Sequence, residues 1–181
     1  MAQNPDHGNA ITILGIDPGS RITGFAIVQW AQQKVIYKRH GIIKLSEQKP
    51  LPDRLGELSQ SIQEILRKYR PDQVSIEKIF MGKNADSAFK LGHARGVVIA
   101  ESVNLKAQVF EYATRVVKKT IAGSGAADKV QVQIALQRYF MIKDLSPIDA
   151  SDALALAVHH AFQLQNPINK LILKAQRQAE V

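Results

Sequence analysis

Apolar residues fall along this chain in distinct rhythms, and each rhythm predicts an element. Ile11 to Asp17 and Ile22 to Trp30 are dense aliphatic and β-branched runs separated by Pro18-Gly19, which predicts a strand pair, a hairpin with Asp17 near its open end. Lys34 to Lys44 carries enough Val, Ile and Tyr to add a third strand. After Pro50 and Pro52 the spacing changes: Leu55, Leu58, Ile62, Ile65 and Leu66 recur at three- and four-residue steps, predicting a helix to about Tyr69 that Pro71 stops. Gln73 to Glu77 alternates Val74 and Ile76 as a brief fourth strand, and Gln108 to Tyr112 predicts a fifth. A helix from about Ala85 to Val103 lies between them.

Three more helices follow. One runs from Ala113 to Ile121 and is broken by Gly123-Ser124-Gly125; another spans Ala127 to Phe140, with Val130, Ile134 and Leu136 inside and Lys129 and Arg138 outside. The last begins at Pro147, a favoured first-turn residue, and runs to about Gln165. Three strands followed by helices alternating with single strands predict an α/β domain, a mixed sheet with helices on both faces. It spans residues 11–165, between a flexible leader at 1–10 and a basic tail at 166–181. Ala88, Gly92, Gly96 and Ala100 form a small-residue face that lets another backbone approach closely, either the protein's own sheet or a helix across a homodimer interface.

Composition narrows the chemistry. A chain of 181 residues with 45% hydrophobic residues supports one core, and its lack of cysteine removes disulfides, thiol nucleophiles and Cys-type zinc sites. No secretory signal and no membrane-length apolar run is present, so a soluble cytoplasmic protein is expected. The net charge of +8 makes a polyanion the first partner to consider.

The acids sharpen this. Asp17 closes one strand and Glu77 another; an Asp before Pro-Gly also caps its own turn in many proteins, and both readings stay open at this point. Asp149 and Asp152 are neighbours on one helix face, and Leu156 lies about 20° and about 40° round from them. Their face therefore runs into an apolar one and should turn toward the sheet, against the alternative of a solvated first-turn pair favoured by the helix dipole. Four gathered acids repel one another unless a cation joins them, and an oxygen-only donor set favours Mg²⁺ or Mn²⁺. Two such ions about 4 Å apart catalyse phosphodiester hydrolysis.

Gly15 to Gly24 (GIDPGSRITG), Ser75 to Gly96 (SIEKIFMGKNADSAFKLGHARG) and Asp149 to Ala157 (DASDALALA) resemble the RuvC family of bacterial Holliday junction resolvases over roughly residues 11–165. The resemblance implies a ribonuclease H-like fold with a mixed five-stranded sheet. It implies a homodimer that cuts four-way junction DNA symmetrically with Mg²⁺; the donor set makes Mn²⁺ a substitute and two ions per subunit the expectation. Asp17, Glu77, Asp149 and Asp152 would be the catalytic, metal-binding acids, although some relatives have His at the position of Asp149. Phe80 matches an aromatic at the unpaired junction centre, Lys118 and Lys129 match lysines near the scissile phosphate, and Lys83, Arg95 and Lys119 are candidates for backbone contact. A preference for a short T-containing sequence and partnership with the RuvA-RuvB branch-migration complex are also implied. His159-His160 reads as structural. The rival functions are a catalytically silent junction-binding protein and an ATPase of the actin and sugar-kinase type, which needs two such domains where this chain has room for one.

Overall fold

The structure, a computed structural model, describes residues 10–78 and 85–165. Strands β1 (Ile11–Asp17), β2 (Ile22–Ala31) and β3 (Lys34–Lys44) form an antiparallel meander, followed by helix α1 (Leu51–Tyr69), β4 (Gln73–Glu77), α2 (Ala85–Asn104), β5 (Gln108–Tyr112), α3 (Thr114–Ala122), α4 (Lys129–Phe140) and α5 (Ile148–Gln163). The sheet order is β3-β2-β1-β4-β5, with β4 parallel to β1 and β5 parallel to β4. This is the mixed five-stranded α/β architecture expected, the parallel half arising because α1 and α2 are crossovers that return the chain to the same end of the strands before β4 and β5 begin.

Strand alternation sorts the side chains into two cores. Leu14, Ile16, Ile27, Val74 and Ile76 pack with Leu58, Ile62 and Leu66 of α1 and Ala94 and Val98 of α2. Ile13, Ala26 and Val28 face the other way, onto α5 and the residues Val117, Val132 and Leu136 of α3 and α4. Helix α5 is apolar nearly all round, and eleven of its residues from Ala150 to Ala161 are buried, so it is a central helix between the sheet and the α3–α4 pair.

Local chemistry sets the ends. Pro50 caps α1 and Arg70 closes it in the left-handed region at φ 43°, its N–H donating to the Leu66 carbonyl before Pro71 forbids another turn. At the start of α4 the Asp128 carboxylate accepts from the Gln131 N–H while the Gln131 side chain accepts from the Asp128 N–H, a capping box.

Three expectations change. Asp17 pairs with Gly24 beside the 18–21 turn, at the closed end of the hairpin and not its open end. On α4 the inward residues are Val132 and Leu136, while Val130 and Ile134 are 53% and 40% exposed; two apolar stripes share the same spacing, and contact with α5 selects one. On α2 the buried residues are Ala94, Val98 and Ser102, leaving Gly92, Gly96 and Ala100 exposed, so that face does not lie on the protein's own sheet. The 166–181 tail and residues 1–9 of the leader lie outside the described residues, as do Phe80 and Lys83. Among the described residues no helix is long and apolar enough to cross a membrane.

Candidate active site

Two acids come from strand ends. Ile16 of β1 is in register with Ile76 of β4, so the next residues, Asp17 and Glu77, emerge at the same end of the sheet and on the face toward α5. The 18–21 turn is closed by Thr23, whose hydroxyl accepts from the Gly19 N–H and donates to the Gly19 carbonyl, both at 3.2 Å. Arg54 braces it from behind, donating to the Ser20 carbonyl at 2.8 Å.

The other two acids are delivered by α5, and glycine makes that delivery possible. A Cβ on Gly15 would stand 2.1 Å from the Ala153 carbonyl oxygen, and one on Gly24 would stand 2.0 Å from that of Asp149. The helix therefore lies directly on the backbones of β1 and β2, and buried Ser75 pins it further by donating to the Leu156 carbonyl at 2.9 Å. At that separation the i, i+3 pair meets the strand acid: Asp17, Asp149 and Asp152 each offer a carboxylate oxygen, and all three lie within 4.8 Å of one another. Glu77 is outside that trio but lines the same cleft, and the Thr114 hydroxyl donates to its carboxylate.

The cleft, of about 120 Å³, is lined by Asp17, Glu77, Asp152, Thr114, Lys118 and Lys129 over a floor that includes Val117, Val132 and Leu156. Burial, reinforced by the charges of Glu77, Asp152 and Asp149, pushes the Asp17 carboxyl up to about 8, with Lys129 opposing. Lys129 donates to Asp152 at 2.6 Å. Burial works against its charge, yet its bond to Asp152 and the attraction of Asp152, Asp17 and Asp149 carry its pKa above the ordinary lysine value. Three converging hard oxygen donors that cannot all stay ionised alone fit a divalent Mg²⁺-type cation.

Of the other candidates, Lys118 lines the cleft, while Lys119, one residue on, is exposed on α3 and not among its lining residues. Arg95 is engaged internally, 2.5 Å from Glu111 and donating to the Glu77 carbonyl at 3.2 Å. His159 and His160 are buried: His160 is hydrogen-bonded to Tyr112 and Gln73, and His159 to Thr120, which matches the structural reading. Sequence reasoning passed over Thr114, Gly15 and Gly24. The two glycines bracket the Asp17 turn, a signal that was visible; Thr114 carried none.

The sheet order and the meeting of strand-end acids with helix acids define a ribonuclease H-like nuclease. Comparison with known proteins narrows this class. The family model described as crossover junction endodeoxyribonuclease RuvC matches residues 13–160, and the chain belongs to the RuvC family. A crossover junction endodeoxyribonuclease RuvC of Bdellovibrio bacteriovorus is 52% identical over 156 residues, covering 86% of this chain and 93% of that one. The Thermus thermophilus RuvC structure superposes with a TM-score of 0.77 at 30% identity, covering 86% of this chain and 96% of that one. T. thermophilus RuvC in complex with Holliday junction substrate gives the same TM-score and identity, covering 84% and 93%.

Proposed function

We propose that this protein resolves Holliday junctions in DNA recombination and repair, as a cytoplasmic homodimer that hydrolyses one phosphodiester in each of two opposed strands with Mg²⁺. Three carboxylates within 4.8 Å of one another, beside Glu77 in a cleft lined by two lysines, carry this reading. The T. thermophilus relative solved with its junction substrate supports the choice of DNA.

Asp17, Asp149 and Asp152, with Glu77 beside them, would hold the metal, Mg²⁺ with Mn²⁺ as substitute and two ions per subunit. A divalent ion held there would supply activation of water and charge stabilisation at the leaving oxygen. The protein's own groups do the rest. Thr114 holds the Glu77 carboxylate in one orientation. Lys129 neutralises Asp152 and, half-exposed at the cleft, offsets charge on an entering phosphate; Lys118 does the same from the α3 side. Lys83 and Lys119 contact the backbone, and Phe80 stacks on an unpaired base at the junction centre. Phosphate contacts by a chain of net charge +8 dominate affinity, which falls steeply with salt. The exposed Gly92, Gly96 and Ala100 face of α2 suits pairing with its copy, giving two sites for a two-fold substrate. RuvA-RuvB is the partner that delivers the junction.

The test is an end-labelled synthetic four-way junction and a matching duplex, incubated with Mg²⁺ or EDTA. Paired symmetric nicks on the junction alone, lost in EDTA, are expected; Asp17→Asn should bind the junction and leave it uncut. A variant that cuts at the normal rate would remove the metal-site assignment. Binding by the native protein without cutting under any metal or junction sequence would leave the silent junction-binding alternative standing.

A further inference from the structure

We propose that Arg95 is a positioning residue that fixes Glu77 from behind the sheet, and not a contact to the DNA backbone; this rests on Glu77 being a catalytic acid. The need for such a brace follows from the sheet. The β1–β4 pairing ends at Ile16 and Ile76, one residue short of Glu77, so on that side the acid's backbone is outside the ladder. On the other side Glu77 is in register with Tyr112, and the Lys78 N–H donates to the Tyr112 carbonyl at 2.8 Å. Glu77 is thus the last strand residue of a five-residue strand, tied firmly to β5 and loosely to β1.

Arg95 completes the attachment. It projects from α2, on the face of the sheet opposite α5, and its Nε donates to the Glu77 carbonyl at 3.2 Å. Its Nη2 lies 2.5 Å from Glu111 of β5, whose side chain alternates onto the same face. One planar guanidinium therefore joins the backbone of β4, a carboxylate of β5 and the body of α2, a use of the fixed donor fork that lysine cannot reproduce in full. On the cleft side Thr114, from the segment that follows β5, holds the Glu77 carboxylate. Main chain and side chain of the acid are held from opposite faces, with β5 supplying the platform for both.

The same geometry argues against DNA contact. The Arg95 side chain is only 20% exposed, and its positive charge is matched by Glu111, itself 40% exposed and repulsive toward phosphate. The two roles predict opposite results for Glu111. If Arg95 bound phosphate, neutralising Glu111 would free it and strengthen junction binding; in a positioning role the same change slackens Glu77 and slows cleavage.

Arg95→Ala, Arg95→Lys, Glu111→Gln and the Arg95→Ala/Glu111→Gln double variant decide between these. Junction affinity is measured with Ca²⁺ in place of Mg²⁺, and single-turnover cleavage with saturating enzyme across a Mg²⁺ titration. We expect Arg95→Ala to cut about 10- to 100-fold more slowly, with a raised Mg²⁺ requirement and junction affinity within about twofold of wild type. Glu111→Gln should fall in the same direction by less, Arg95→Lys should recover part of the loss, and the double variant should be no slower than Arg95→Ala. Weakened binding with a salt slope shallower by about one in Arg95→Ala, or tighter binding in Glu111→Gln, would overturn the proposal in favour of DNA contact. Unchanged cleavage in both would overturn it outright. Should Arg95→Ala fail to fold, judged by thermal unfolding, Arg95→Lys and Glu111→Gln decide alone. Glu77→Gln run alongside separates the two readings: if it cleaves normally, the assignment of Glu77 fails first.

Discussion

A Cβ on Gly24 would stand 2.0 Å from the carbonyl oxygen of Asp149, so β2 carries no side chain at the point where the first turn of α5 crosses it. The acids of α5 reach Asp17 because that strand is bare.

Gly24→Ala should therefore act on the site through the helix. The obstructing atom is backbone and cannot swing aside, so α5 must lift. We expect a loss of about 1–3 kcal/mol in stability together with a fall in cleavage larger than the stability loss explains. Thermal unfolding and single-turnover cleavage of the same preparation check this. Native cleavage by the variant would sink the claim that close helix approach assembles the acids.

Gly96 gives the contrasting case, because a Cβ there meets nothing within 4 Å. Gly96→Ala should stabilise the isolated subunit by up to about 1 kcal/mol through helix propensity. Gly96→Leu should split the proposed homodimer in sedimentation equilibrium. A leucine variant that remains fully dimeric would exclude this face of α2 from the interface.

Asp17 predicts a pH dependence for the metal-free protein. Its native pKa, about 8, lies above the reference value of 3.8, so between these the native state holds a proton that the unfolded chain releases. Stability from this group is fully present below about 3.8 and is lost as pH rises toward 8. In EDTA, Asp17→Asn should flatten that decline, and Mg²⁺ should bind more tightly as pH rises because it no longer competes with the proton. Isothermal titration at pH 6.5 and 8.5 reads the second effect; equal affinity at both would contradict it.

His160 gives the opposite slope. Burial, then the neighbouring His159, lowers its pKa to about 3 from 6.5, so its contribution is fully present above about 6.5 and lost as pH falls toward 3. The bond from Nε2 to the Gln73 side-chain carbonyl makes Nδ1 the acceptor for Tyr112, a neutral arrangement that a second ring proton would break. Acidification from pH 6.5 to pH 5 should cost about 2 kcal/mol through this residue, and His160→Gln should lose that part of the slope in urea unfolding. The same slope in wild type and variant would exclude His160 as its source.

Much of this was legible along the chain because strand and helix periods are local. β3, β4 and β5 have the bounds that their β-branched, aliphatic and aromatic residues predicted, and Asp17 and Glu77 stand out as acids terminating apolar strands. The i, i+3 pair on α5 was readable as facing inward because Leu156 shares its side of the helix, and Leu156 lines the cleft. Other features had no local signature. Val130 and Val132 are equally apolar on α4, and only the position of α5 decided which was buried.

By itself the sequence determined the elements, their order and the class of fold, since each is encoded by residue type at short spacing; the family was legible as a resemblance in three motifs, and the four acids as candidates. Only the tertiary structure decided that Asp17, Asp149 and Asp152 converge while Glu77 stands beside them, that Lys129 pairs with Asp152, and that Arg95 turns inward to Glu111. These depend on distances between segments far apart in the chain. Those distances are set by how closely backbones pack at Gly15 and Gly24, a property of two surfaces in contact that no single segment carries.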